Sequence, residues 1–233
     1  MRTAAFLILG VQIFAVFTVR PRTKPVARKI SFSHYLTPFT EYPFALLLLG
    51  LFFLTFGIYL PVVYLASSGY QVAHMSQEMA QYLVPIFNAV SLFGRLVPGY
   101  IADRIGRWNT FIIACALCGV SELAVWLVAK TSAKMIGFAV FFGFMSGAFT
   151  SLSGALPISV SPAGEIGYRL GLTYLAFSIP GITMGVIGGP IIESSSFGWS
   201  GVELFAALTC FVGSAITLYS RWLYTNKKFF ERF

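Results

Sequence analysis

An all-α membrane protein with about seven transmembrane helices is the fold class this sequence predicts, on three observations. Of its 233 residues, 57% are hydrophobic and only 10% are charged, whereas soluble domains carry about 25% charged residues. Long apolar runs divide the chain, and the basic residues gather in alternate gaps between them. So few charges could not cover the surface of a water-soluble domain. An ordinary soluble enzyme, a disordered chain and a disulfide scaffold are therefore excluded.

The runs are Ala4–Val19, Phe44–Leu65, Tyr82–Ala102, Phe111–Val128, Met135–Leu156, Leu170–Ile192 and Val202–Leu223. Each has the length of a membrane-crossing helix, about 20 residues. None alternates with period two, as a membrane barrel strand must. In the bilayer core such a run satisfies its backbone only as a helix. The first run, preceded by Met1-Arg2, has the outline of a signal sequence. No A-x-A-like site follows it, and Arg20-Pro21-Arg22-Thr23-Lys24 reads as a cytoplasmic stop. A retained span is expected over residues 1–19. A basic cytosolic loop is expected over 20–42, a six-helix unit over 43–224, and a cytosolic tail over 225–233.

Charge orients the chain. If the helices alternate, Arg20, Arg22, Lys24, Arg28, Lys29, Arg104, Arg107, Arg169, Arg221, Lys227, Lys228 and Arg232 fall on one side. The other side receives only Arg2, Lys130 and Lys134. The richer side is expected to be the cytosol. The net charge of +8 thus reflects topology, and no nucleic-acid partner is expected. Cys115 and Cys118 form a C-x-x-C, but inside an apolar run, with no Cys or His near in sequence. They read as small packing residues. No metal, cofactor, nucleophile triad or phosphate loop is expected, and hence no enzyme. Seven spans in this orientation suit either a seven-helix receptor or a piece of a transporter. A non-transporting membrane interaction protein is a third possibility.

Between the third and fourth runs lies Gly99-Tyr100-Ile101-Ala102-Asp103-Arg104-Ile105-Gly106-Arg107. Gly99 suits close helix approach, and Gly106 suits a tight turn with positive φ. Asp103 can face a helix N-terminus, and Arg104 and Arg107 can pair with it in the headgroup layer. The segment resembles the signature loop of the major facilitator superfamily. The long basic connection before it resembles the loop between helices 6 and 7 of that family. The resemblance implies that the seven runs correspond to helices 6 to 12, so the chain resembles the C-terminal half of such a transporter. Asn88-Ala89-Val90-Ser91-Leu92-Phe93-Gly94-Arg95-Leu96-Val97-Pro98, with Asp103, Gly106 and Asn109, resembles the fungal branch of the monocarboxylate porters. Arg169-Leu170-Gly171-Leu172 and Gly188-Gly189-Pro190-Ile191 resemble that branch's helix 11. Animal porters carry an acidic residue where this chain has Ser91.

Individual residues sharpen the expectation. Arg95 lies inside a run, about 10 Å from its cytosolic end at 1.5 Å per residue. An intramembrane Arg marks a substrate or ion path, or snorkels to the cytosol or pairs with Asp103. Asn88 and Ser91 precede it by seven and four residues and are expected on its helix face. Glu122 is a candidate for proton or ion coupling, or for pairing with a neighbouring helix. Gly143 and Gly147, and Gly181, Gly185 and Gly189, have the spacing of close helix packing. Tyr42, Trp199 and Trp222 suit the membrane interface, and His34 and His74 carry little signal. A secondary transporter, or a truncated half of one, is expected. Its partners are the bilayer, a small anionic monocarboxylate-like substrate, and a missing N-terminal half. The plasma membrane is favoured over an organelle membrane.

Overall fold

The computed structural model describes residues 2–18, 37–194 and 196–228. Arg20, Arg22, Lys24, Arg28, Lys29, His34 and Arg232 lie outside the described residues, as does most of the expected basic loop. The chain divides into two units, Met1–Tyr35 and Leu36–Phe233. In the first, α1 (Arg2–Thr18) carries no charged residue after Arg2.

The second unit contains α2 (Tyr42–Gln71), α3 (Gln77–Ile105), α4 (Arg107–Ser121), α5 (Ser132–Leu152), the short α6 (Ala155–Ser159), α7 (Ile166–Ser194) and α8 (Trp199–Tyr224). A single π-turn, Glu122–Trp126, continues α4. Among the described residues there is no strand. Six helical stretches of this unit are long and apolar enough to cross a membrane, with α4 counted to Trp126 and α5 to Ser159. All six runs expected here are helical. α2, at 30 residues, is about 45 Å long at 1.5 Å per residue and exceeds the roughly 30 Å hydrocarbon core.

Local chemistry sets the ends. Ser76 caps α3 by accepting the Met79 amide at 3.2 Å, and Glu78 sits in the first turn, where a carboxylate complements the helix dipole. Gly106 joins α3 to α4 alone. Its φ of 99° is open to glycine and costly for other residues. Its amide donates to Ala102, while its carbonyl accepts from the Thr110 amide.

Two seams carry the packing. In α2 against α8, a Cβ added at Gly50 would lie 2.4 Å from Thr217 Oγ1, and one at Gly57 2.4 Å from Cys210 Sγ. In α3 against α5, a Cβ at Gly94 would lie 2.1 Å from the Phe144 carbonyl oxygen, and one at Gly147 2.6 Å from the Gly94 carbonyl carbon. Backbones this close gain dispersion contacts that larger residues would block. Gly143 is packed as well, facing Phe87. A run of stacked rings backs the second seam. Trp126 stacks on Phe138 at 5.4 Å, Phe138 on Phe142 at 5.0 Å, and Phe142 on Phe87 at 6.0 Å. The buried Trp126 indole donates to Ser68 Oγ at 3.1 Å, which satisfies its one polar group.

Two glycine expectations need correction. Gly99, and Gly181, Gly185 and Gly189, meet nothing within 4 Å of an added Cβ. Their helix faces point out of this unit. The close approach on α7 is made instead by Gly188, against the Tyr64 ring.

Candidate functional site

The α3–α5 seam fixes which face of α3 is left open. Leu83, Phe87, Ser91, Gly94, Pro98 and Ala102 are buried along the helix. At 100° per residue, that stripe turns Asn88 and Arg95 out of the seam, and both are exposed. Ser91 stays inside at 4% exposure, and its hydroxyl donates to the Asn88 carbonyl at 2.9 Å. The expected trio is therefore split. Asn88 and Arg95 share an open face, while Ser91 belongs to the packing. The helical spacing was right, but the seam's edge falls between them.

Arg95 lies within electrostatic reach of Tyr59 on α2. No acidic side chain pairs with it among the described residues, so the alternative of a bond to Asp103 is not observed. The Tyr59 phenol of α2 feels the Arg95 charge and lies near Thr150 of α5 and Tyr174 of α7, while the Thr150 hydroxyl donates to the Ser146 carbonyl at 3.4 Å. Tyr59 stands edge-on to the buried Phe149 at 6.0 Å, Phe149 lies 5.8 Å from Phe177, and Tyr174 meets Phe177 edge-on at 5.8 Å. Tyr59 and Tyr174 are 37% and 57% exposed, so this aromatic arc is accessible. Sequence reading missed Tyr59, Thr150 and Tyr174. The one available signal was that Tyr59 stands inside its run rather than at the end where interface tyrosines gather.

The signature loop keeps the expected turn but not the expected ion pairs. Asp103 is exposed in the last turn of α3 and has no salt bridge among the described residues. Arg104 folds back on Tyr100, its guanidinium 4.6 Å from the ring centroid and in contact with the hydroxyl. Arg107 is exposed. Trp108 anchors the loop from below, buried and donating to Ser159 Oγ at 3.1 Å.

Charge is also buried elsewhere. Glu122 is fully enclosed. Its Oε1 accepts from Cys210 Sγ at 3.7 Å, and its Oε2 has no hydrogen-bond partner. Cys115, Cys118 and Cys210 are free and buried, and no metal-holding cluster exists among the described residues. Arg169, at 2% exposure, donates to both oxygens of Glu41, with Nη1 at 2.7 Å, and through Nε to Glu165 at 2.9 Å. Its guanidinium lies 5.0 Å over the Phe44 ring. This clamp ties the start of α7 to the start of α2. The spacing of Glu165 and Arg169 was readable as a one-turn helical pair. Glu41, 128 residues away, was not.

Comparison with known proteins identifies the fold. A family model described as Major Facilitator Superfamily matches residues 3–182 and 47–229. The chain belongs to the major facilitator superfamily. It is 58% identical over 233 residues to the "Fujikurins efflux protein" of Gibberella fujikuroi, covering 100% of this chain and 50% of that protein. It is 39% identical over 229 residues to the "MFS transporter asaE" of Aspergillus flavus, covering 98% of this chain and 52% of the relative. It is 39% identical over 215 residues to the "MFS-type transporter opdF" of Penicillium oxalicum, covering 92% and 50%. The chain spans about half the length of the curated relatives it matches. A multi-pass helical membrane protein of this superfamily, matching about half the length of its transporter relatives, is thus shown. The relatives' names do not bear on the narrower monocarboxylate branch.

Proposed function

We propose that this chain forms the C-terminal half of an exporter of small organic anions, working by alternating access against a facing N-terminal half. The carrying observation is Arg95. It is a cation with no acid pairing it among the described residues, exposed on a helix long and apolar enough to span a membrane, beside Tyr59. Such a group is costly in hydrocarbon, and a water-filled cavity lowers that cost. Its planar fork suits a carboxylate in two-point contact, which is the support for a monocarboxylate-like substrate. Asn88 adds a neutral hydrogen-bonding group on the same face. Ser91 acts through packing. The relatives named as efflux proteins support outward movement.

Gly99, Asp103, Arg104, Gly106 and Arg107 form the proposed conformational loop. Asp103, open to solvent, is placed to meet the facing half when the cytosolic side closes. Glu122 is the proposed proton- or ion-coupling group, being an enclosed carboxyl with one oxygen unpartnered. Basic residues favour the cytosol for the 20–42 loop and the tail, and the plasma membrane is the proposed site.

The test is export of a carboxylate and of its neutral amide by the complete transporter. Wild type is expected to prefer the acid, Arg95→Lys to weaken that preference, and Arg95→Ala to abolish acid export at similar membrane abundance. Equal export of acid and amide by wild type, or normal export by Arg95→Ala, overturns the reading.

A further inference from the structure

The shell around Arg95 bears on what kind of anion would fit. The guanidinium can hold a negative group, but it says nothing about the rest of the molecule. Tyr59 of α2 lies within electrostatic reach of Arg95, and rings run on from Tyr59 through Phe149 of α5 to Phe177 and Tyr174 of α7. α2 and α5 bring Tyr59 and Thr150 into one neighbourhood, where the Thr150 hydroxyl also donates to the Ser146 carbonyl at 3.4 Å. α7 brings Tyr174, 57% exposed, with its ring edge-on to Phe177 at 5.8 Å. Thr150 is exposed as well, and the buried Phe149 supports Tyr59 from behind at 6.0 Å. Arg95, the two hydroxyls and the aromatic face thus belong to one neighbourhood and offer three different interactions. The first suits an anion, the second a polar substituent, and the third a flat apolar surface. A purely aliphatic acid would use only the first.

We propose that Tyr59, Thr150 and Tyr174 are specificity-determining residues that select organic anions with a flat, conjugated body bearing a hydroxyl or carbonyl substituent. The proposal rests on the Arg95 reading above. Tyr174 and Phe177 take the ring face or edge, with the preference of aromatic pairs for offset or edge-on contact. Tyr59 and Thr150 exchange hydrogen bonds with the substituent, and Arg95 holds the charge.

The complete transporter in nanodiscs is titrated with four probes: 2-naphthoate, its saturated decahydro analogue, 6-hydroxy-2-naphthoate and 2-naphthamide. Wild type is expected to bind 2-naphthoate about fivefold more tightly than the saturated acid, a ratio in the range measured for aromatic pairs. Tyr174→Leu is expected to bring that ratio close to one while the preference for acid over amide survives. Tyr59→Phe keeps the ring and removes the hydroxyl, so it should lose the preference for the 6-hydroxy acid and leave the aromatic preference intact. An aromatic preference unchanged in Tyr174→Leu, or a hydroxy preference unchanged in Tyr59→Phe, overturns the proposal, even where acid over amide holds. Loss of the acid preference in wild type, or no binding of any probe, overturns the Arg95 reading and this proposal with it.

Discussion

Gly143 and Gly147 of α5, and Gly181, Gly185 and Gly189 of α7, repeat the same four-residue spacing, yet their surroundings are opposite. The first pair is pressed against the α3 backbone, where an added Cβ would lie 2.9 Å from the Phe87 carbonyl oxygen and 2.6 Å from the Gly94 carbonyl carbon. The second set has open space around it. The wider surroundings differ in the same way. α2 and α5 are largely enclosed, whereas α3 and α7 leave most of their apolar length exposed. Small residues at this spacing permit a close helix neighbour, but the spacing does not say which neighbour. In this fold the packed side carries stability, and the open side carries Arg95, Tyr174 and the bare glycine face.

The largest expected effect lies on the packed side. Gly94→Leu would drive a side chain into the Phe144 backbone, where even a Cβ sits at 2.1 Å from the carbonyl oxygen. Backbone cannot swing away as a flexible side chain can. The expected loss is about 3 kcal/mol or more, at the upper end for overpacking. Membrane abundance and the unfolding midpoint in detergent measure it. A variant as stable as wild type would mean that the seam is not tight, and the comparison would fall.

Next is the clamp. Arg169→Ala removes the cation that bridges Glu41 and Glu165. Removing one partner of a fully buried pair costs about 3–5 kcal/mol. Glu41 is 41% exposed, so water can compensate in part, and about 2 kcal/mol is expected. Arg169→Lys keeps the charge but cannot reach both acids with a planar fork, and should recover about half. A midpoint unchanged in Arg169→Ala would show that α2 and α7 hold together without it.

These effects separate what could be read from sequence from what could not. The helices were legible because each apolar run must become one in a bilayer. Gly106 was legible because its role is local, a reversal between two helices, and its positive φ bears that out. The faces were less legible. Ser91 and Arg95 are one turn apart, but the seam's edge passes between them, set by Phe144 on another helix. The grouping around Tyr59 was illegible, because Arg95, Thr150 and Tyr174 come from three separate helices and no spacing joins them to it. For the same reason Asp103, read as a local ion-pair partner, stands without a salt bridge among the described residues.

Asp103→Asn gives a smaller effect on the open side. The carboxylate is exposed and makes no salt bridge among the described residues, so stability should change by less than about 0.5 kcal/mol. The proposed loop role concerns exchange between states, so export rate should fall while membrane abundance holds. Normal export by a correctly inserted variant would remove the loop from the mechanism.

The sharpest test of the comparison uses two glycines three residues apart on one helix, one of them expected to be nearly silent. A Cβ at Gly185 meets nothing within 4 Å, while one at Gly188 would lie 2.5 Å from Cε2 of Tyr64. Tyr64 is not free to move aside. Its hydroxyl donates to the Gly185 carbonyl at 3.1 Å, and its ring stands 6.1 Å from Trp199. Gly188→Ala must therefore displace a ring held at both ends, and about 1–2 kcal/mol of overpacking cost is expected. Gly185→Ala leaves the carbonyl and its hydrogen bond in place and adds a methyl to an open face. Its effect on the unfolding midpoint of this chain should stay within about 0.5 kcal/mol. Equal losses at the two positions would show that the α7 glycine face is packed within this unit after all. A silent Gly185→Ala beside a costly Gly188→Ala would show that two faces of one helix do separate work. One joins α7 to its own half, and the other is left open.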